Sequence, residues 1–291
     1  MLIALLKAMR PKQWAKNGVI FAALVFDRQL GFNNLPAMER TFAGFVIFCL
    51  LSGVVYLIND IEDIEADRRH PHKRKRPIAA GELPVAAALV AIIGLLIILL
   101  PLAYWLSSSF ALVALAYLLL NLAYSKWLKH LPLIDVFSIA LGFVLRVGAG
   151  VTLIQVARFS PWLYVVITLA SLYVGFGKRR AELAQLEEGA NDHRKVLSDY
   201  TIPLLDQYIM IVSATTIVAY SLYTFSAPNL PSNHAMMLTI PFVLYGIFRY
   251  LYLVQLKGYG GAPEDILFSD RPLQMTIFLW GMAVLAIFYI F

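Results

Sequence analysis

Apolar residues come in long runs along this chain, without the strict alternation of a half-buried strand or the narrow stripe of a surface helix. A bilayer's hydrocarbon core asks for about 20 predominantly apolar residues per helix. Nine runs approach that length: Trp14 to Leu30, Thr41 to Ile58, Val85 to Leu106, Phe110 to Trp127, Ile134 to Ala157, Trp162 to Gly177, Pro203 to Phe225, Ala235 to Leu256 and Leu273 to Phe291. The first and sixth are short, and Lys16 and Asn17 interrupt the first. The pattern predicts an all-α, polytopic membrane protein, one integral-membrane domain over residues 1–291 with nine transmembrane helices.

Composition agrees. Of 291 residues, 60% are hydrophobic and 14% charged, against about a quarter charged in a soluble domain. That excludes a soluble enzyme, because the surface must face lipid. The net charge of +6 would suit nucleic acid, but its distribution is a topology signal. With the N-terminus inside, nineteen of the 24 Lys and Arg fall on inner segments, and only Arg28, Arg40 and Arg158 on outer ones. The expected setting is therefore the plasma membrane, with the N-terminus cytoplasmic, the C-terminus outside and no nucleic-acid partner. The polar Lys16 and Asn17 also argue against a cleaved signal peptide. The single cysteine, Cys49, lies in an apolar span and can form no intramolecular disulfide.

Two inner connections are long, residues 59–84 and 178–202, whereas outer links such as Ser107 to Ser109 are barely turns. Long loops tend to carry function, which places the site on the cytoplasmic face. The second and sixth spans both run into such a loop, a faint echo of two halves. In the first loop Asp60, Asp63 and Asp67 stand three and four residues apart, so a continuing helix would put all three on one face. Stacked like charges repel unless a cation neutralises them. Mg²⁺ is the expected ion, since it takes oxygen ligands and is commonly shared between carboxylates and substrate phosphates. Zinc is disfavoured because no Cys or His pair accompanies the acids. A merely solvated helix end is the alternative, although carboxylates continuous with a membrane helix are costly unless they face a cavity or a cation. The basic run from Arg68 to Arg76 reads either as an anchor on anionic lipid or as a phosphate site. Acids for metal followed by bases for phosphate are what a diphosphate substrate requires.

Asn59-Asp60-x-x-Asp63-x-x-x-Asp67, followed by Arg76-Pro77-x-x-x-Gly81 and by Tyr124-Ser125-x-x-Leu128-Lys129, resembles the UbiA-type intramembrane prenyltransferase superfamily. The resemblance implies a nine-helix transmembrane bundle with a cytoplasmic-side cavity. That superfamily carries a second aspartate-rich motif after its sixth helix. Here the place holds Lys178-Arg179-Arg180-Ala181-Glu182 and, further on, Asp192-His193-Arg194-Lys195. With Arg10-Pro11-x-x-Trp14-x-Lys16-Asn17 and Leu141-Gly142-Phe143-Val144-Leu145-Arg146, this departure is similar to the branch of decaprenyl-phosphate phosphoribosyltransferases.

That branch implies transfer of a 5-phosphoribosyl group from phosphoribosyl diphosphate to a polyprenyl phosphate, with release of diphosphate, in the supply of lipid-linked arabinose for cell-wall arabinan. On this resemblance Asn59, Asp60, Asp63 and Asp67 would hold Mg²⁺ on the diphosphate, with Asp63 and Asp67 essential to catalysis and Lys73 and Arg76 supporting the charge. Lys178, Arg179, Arg180 and Arg194 would meet the 5-phosphate or the acceptor phosphate, and Glu182 and Tyr200 the ribose hydroxyls or the bases. One long loop would grip each end of the donor. Lys16, Asn17 and Arg146 sit within spans, where Lys16 either snorkels to the interface or serves the site, and Arg146 requires an acidic partner or a phosphate; Tyr124, Lys126 and Asp135 would line the cavity mouth or belong to an interfacial belt. Partners would be the donor, the polyprenyl phosphate and the bilayer, with tail length, number of metal ions and assembly into a homo-oligomer left open. Two other readings stand beside this one: an ordinary prenyltransferase, against which the missing second motif counts, and a transporter, which would carry charges towards both sides rather than one.

Overall fold

The computed structural model describes residues 1–31, 34–70, 73–155, 161–187, 195–227, 230–256, 266 and 269–290. Within them the fold is helical, with no strand. In chain order the α-helices are α1 (Leu2–Ala8), α2 (Ala22–Phe26), α3 (Leu35–Glu62), α4 (Ile64–Arg69), α5 (Val85–Leu106), α6 (Ser108–Lys126), α7 (Ile134–Val151), α8 (Pro161–Glu187), α9 (Ile202–Ser226), α10 (Ile240–Leu256) and α11 (Arg271–Tyr289). Among the described residues eight helical stretches are long and apolar enough to cross a membrane, where the sequence predicts nine. Many large apolar side chains lie on the outside, Trp105 and Val90 at 83% and 72% exposure among them, as a lipid-facing surface requires.

The missing span is the first. Instead of one α-helix, residues Pro11–Phe21 form a 3-10 helix that runs into the short α2. A 3-10 run longer than three or four residues is uncommon, and this one has 11. Its rise of about 2.0 Å per residue, followed by about 1.5 Å in α2, carries the chain roughly 30 Å, the thickness of a hydrocarbon core. Tertiary contacts select this winding. Asn17 and Ile20 are fully buried, and Gly150 of α7 lies directly against the Ile20 carbonyl, where any Cβ would collide.

The chain divides into two compact units, residues 1–126 with 145–156, and residues 127–144 with 157–291. In the first, Ile20, Phe48, Leu51, Phe110, Tyr117 and Leu153 form one core. A second core there, of Ala8, Met9, Val54, Leu57, Ile78 and Leu83, joins the N-terminal residues to α3 and to the loop behind it. In the second unit Val136, Phe176, Val196, Tyr200, Leu205 and Tyr250 pack together, and α8 against α9 is its most extensive helix pair.

At the start of α11, Asp270 is the N-cap, accepting from Leu273 N at 2.9 Å, and it also receives Arg249 Nη2 at 2.8 Å and Nε at 3.2 Å. These bonds, the arginine's first, hold its carboxyl below the usual carboxylate range. A group depressed in the folded state contributes stability above its unfolded pKa, about 3.9, and loses it as pH falls. Asp270→Ala is therefore expected to destabilise the detergent-solubilised protein by about 1 kcal/mol at neutral pH, the usual worth of a cap. Asp270→Asn should do so by less. The gap between the Asn variant and the unaltered chain should close below about pH 4 in thermal unfolding followed by circular dichroism.

Candidate active site

The first long loop is built rather than loose. α3 outruns its predicted end at Ile58 and continues to Glu62, and the helix then breaks at Asp63, which caps both α3 and α4. The expectation of one uninterrupted acidic face is thereby corrected, because stacked carboxylates repel and the break lets an arginine enter between two of them. Asp60 and Asp67 are both buried, at 1% and 3% exposure. Arg76 Nη1 reaches Asp67 Oδ2 at 2.6 Å and Asp60 Oδ1 at 3.2 Å. Arg10 also donates to Asp60 Oδ1.

Arg76 is held in place by its own loop. A turn closes behind it, with Ala80 N on the Arg76 carbonyl and Leu83 N on that of Pro77, and with Gly81 at φ +78° where a side chain would be strained. Ile78 and Leu83, each 1% exposed, pin that turn into the core. Asn59 accepts from Ser125 Oγ, and Lys126 lies 3.9 Å from Glu62, so the end of α6 fixes the end of α3. Of the Tyr124–Lys129 motif, Ser125 thus engages the acidic segment, a role the sequence had not given it.

Arg10, read in the sequence only as part of the Arg10-Pro11-x-x-Trp14 motif, joins the site as well. Its backbone is left-handed at φ 53°, a conformation that costs a non-glycine residue energy and persists only where surroundings enforce it. Its guanidinium lies 4.7 Å over the Tyr56 ring as well as on Asp60. Around it opens a cleft of about 230 Å³ lined by Lys7, Ala8, Arg10, Asp60, Lys75, Arg76 and Pro77. The signal that could have led here is the closeness of Lys7 and Arg10 to the apolar start of the chain.

Deeper in the first unit Asn17 and Arg146 meet each other. Arg146, 9% exposed, donates from Nε to Asn17 Oδ1 at 2.7 Å and from Nη2 to the Tyr117 hydroxyl at 2.9 Å, with the Tyr117 ring 4.8 Å beneath it. Asn17 Nδ2 donates to Ser52 Oγ at 3.3 Å, and Ser52 in turn lies 3.2 Å from the Tyr117 hydroxyl. Neutral side chains therefore supply bonds that the sequence assigned to an acid or a phosphate. Lys16, next to Asn17, is half-buried.

In the second unit α8 continues to Glu187, so Lys178 to Glu182 stand on a helix and not in the loop predicted there. Arg179 is fully buried. Its Nε donates to Asp135 Oδ2 at 2.6 Å and its Nη1 to Glu182. Tyr200 donates to Asp135 Oδ1 at 3.0 Å and accepts from Leu133 N at 2.6 Å. Burial pushes the Tyr200 hydroxyl above the usual phenol range, so it stays a donor. Arg180 Nε instead reaches Asp206 Oδ1 at 2.6 Å. The two arginines expected to face phosphate are thus paired with carboxylates, and Glu182 and Tyr200 serve the same buried network. Lys178 is half-buried; Arg194 and His193 lie outside the described residues.

Among the described residues no three acidic, histidine or cysteine side chains form a ready-made metal cage. Mg²⁺ does not need one, since it keeps waters and takes one or two carboxylates with substrate phosphates completing the shell. Asp60 Oδ2 is buried and has no hydrogen-bond partner among the described residues, an orphan of the kind that calls for an ion. The donor set fits a divalent cation.

The pattern of the UbiA prenyltransferase family matches residues 19–264. The chain belongs to that family. It is 35% identical to the decaprenyl-phosphate phosphoribosyltransferase of Corynebacterium glutamicum, over 98% of this chain and 87% of that one. With the Mycolicibacterium smegmatis protein of the same name the identity is 34%, over 95% and 89%. A UbiA homolog from Archaeoglobus fulgidus, solved bound to GPP and Mg²⁺, shares the fold with a TM-score of 0.74, covering 98% of this chain and 99% of that one at 19% identity. The UbiA fold expected from the acidic motif is therefore present.

Proposed function

We propose that this UbiA-family membrane protein transfers the 5-phosphoribosyl group of phosphoribosyl diphosphate to a polyprenyl phosphate, of the decaprenyl kind, at the cytoplasmic face of the plasma membrane, with its C-terminus outside. The observation that carries the reading is the likeness, over nearly the whole chain, to two relatives named for that activity. The buried acidic and basic cluster of the first unit supplies matching chemistry.

Asp60 and Asp67, with Asn59 and Asp63 beside them, would hold Mg²⁺, which when bound offsets negative charge building on a leaving diphosphate. Arg76 and Lys73 would bind the diphosphate oxygens, Arg76 by a planar fork and Lys73 as a point charge. Ser125 would orient Asn59, and Lys126 would hold the acidic helix end through Glu62, with Tyr124 at the margin. Lys178 and Arg194 are candidates for the 5-phosphate or the acceptor phosphate. Arg179, Glu182 and Tyr200 act as positioning residues for the segment that carries them, and Asn17 and Arg146 fix the 3-10 helix.

The bond from the anomeric carbon to diphosphate breaks as an oxygen of the acceptor phosphate bonds to that carbon from the opposite face, inverting it. A phosphate monoester has its second pKa near 6, so the nucleophile is already ionised and no general base is needed.

The test is incubation of purified protein with ribose-labelled donor, Mg²⁺ and polyprenyl phosphate. Label is expected to enter the organic phase with equimolar diphosphate, and chelation of the metal should stop it. Consumption of a prenyl diphosphate with no lipid-bound label would instead favour an ordinary prenyl transfer.

A further inference from the structure

Arg146 is buried in the first unit, and the transfer chemistry gives it no task. Its fork is engaged by Asn17 and Tyr117, so it grips the segment that carries Asn17, the 3-10 helix Pro11–Phe21. That helix meets one face of α3, on which Ser52, Tyr56 and Asp60 follow at intervals of four residues. At one end Asn17 Nδ2 donates to Ser52 Oγ. At the other Arg10, the N-cap, stands over Tyr56 and donates to Asp60. α7 supplies a second support through Arg146 and, one turn on, Gly150 against the Ile20 carbonyl. Asn17 and Ile20 are three residues apart and eclipse each other in 3-10 winding, which suits the two contacts with α7. So long a 3-10 run is uncommon, because its hydrogen bonds are poorer than those of an α-helix. Released, residues 11–17 would relax towards α-winding, whose smaller rise would draw Arg10 back from Asp60 by about 3.5 Å. A hydrogen bond does not survive that displacement.

We propose that Arg146 is a positioning residue: by holding Asn17 it keeps Pro11–Phe21 in 3-10 winding, and that winding keeps Arg10 on Asp60. With Arg10 and Arg76 both on Oδ1 of Asp60, the carboxylate is fixed from one side and its buried Oδ2 is left to a cation. The proposal deepens the reading given above, on which only its kinetic readout rests. Arg146 touches no substrate and acts solely through the helix.

Amide hydrogen exchange of the full chain in detergent, followed by mass spectrometry, tests the grip itself. Arg146→Lys keeps the charge but not the planar fork. It should speed exchange across residues 12–21 about tenfold, the worth of a charge-assisted hydrogen bond, with α5 staying within about twofold. Asn17→Asp keeps an acceptor for Arg146 and should leave exchange at the rate of the unaltered chain, whereas Asn17→Ala should raise it as Arg146→Lys does. Unchanged exchange across residues 12–21, or an equal rise in α5, would overturn the proposal. In turnover, Arg146→Lys should lower kcat by up to about 10²-fold, as a displaced group at the chemistry does. In a chain already carrying Arg10→Gln the same change should cost no more than about twofold. A full further loss in that background would mean that Arg146 serves the substrate directly, and would overturn the proposal likewise. Absence of transfer by the unaltered protein would refute the reaction, and the exchange rates would still decide the role of Arg146.

Discussion

Asp67→Asn is expected to lower turnover about 10²- to 10³-fold, the usual loss when one preorganised charge-stabilising group is removed, while the protein still inserts and folds. Folding survives because Arg76 keeps Asp60, 3.2 Å away, when its stronger bond at 2.6 Å to Asp67 is weakened. Activity alone would not separate a metal ligand from an arginine partner, so the decisive readout is the Mg²⁺ dependence of the residual rate. A metal role demands that half-saturating Mg²⁺ rise; an unchanged Mg²⁺ profile would assign Asp67 to holding Arg76. Asp63→Asn is expected to behave like Asp67→Asn, and full retention of activity would take Asp63 out of the metal set.

The second large effect lies in the second unit. Arg179 and Asp135 both have 0% side-chain exposure and meet at 2.6 Å. Removing one partner strands a charge that cannot reach water, which costs about 3–5 kcal/mol, whereas removing both charges is often close to neutral. Arg179→Met should therefore lower the unfolding temperature markedly, and Asp135→Leu placed on top of it should recover part of the loss. Thermal unfolding of the single and double variants in detergent gives the coupling. Additive losses would mean that the buried pair is not the source of the effect. Tyr200→Phe belongs to the same network and should cost less, since it leaves the ion pair intact while removing the donor to Asp135.

Much of the fold could be read in advance because lipid imposes a one-dimensional rule: backbone polar groups must be satisfied within the segment, so an apolar run becomes a helix. Val85 to Leu106 was bounded to the residue, and α7 begins at Ile134 as expected. The rule failed where a segment's form is set by its neighbours. The run from Trp14 contains nothing that dictates 3-10 winding; the choice comes from Asn17 meeting Arg146, and from Ile20 lying on Gly150, residues more than a hundred positions away.

The site shows the same division. Asp60, Asp67 and Arg76 could be singled out because residue type and spacing declare acids for a cation and bases for phosphate. Which cation meets which acid could not be read. Arg10 reaches Asp60 across fifty residues, Ser125 reaches Asn59 across 66, and Arg179, indistinguishable in sequence from Lys178 and Arg180, is the one folded inward.

By itself, then, the sequence determined that this chain lives in a membrane as helices and gathers its charge around two polar segments, since hydropathy and charge are summed locally and carried by residue type alone. The tertiary structure decided which charges neutralise one another and which face a cleft. Pairing energy depends on distance and burial, and both are set by residues far apart in the chain.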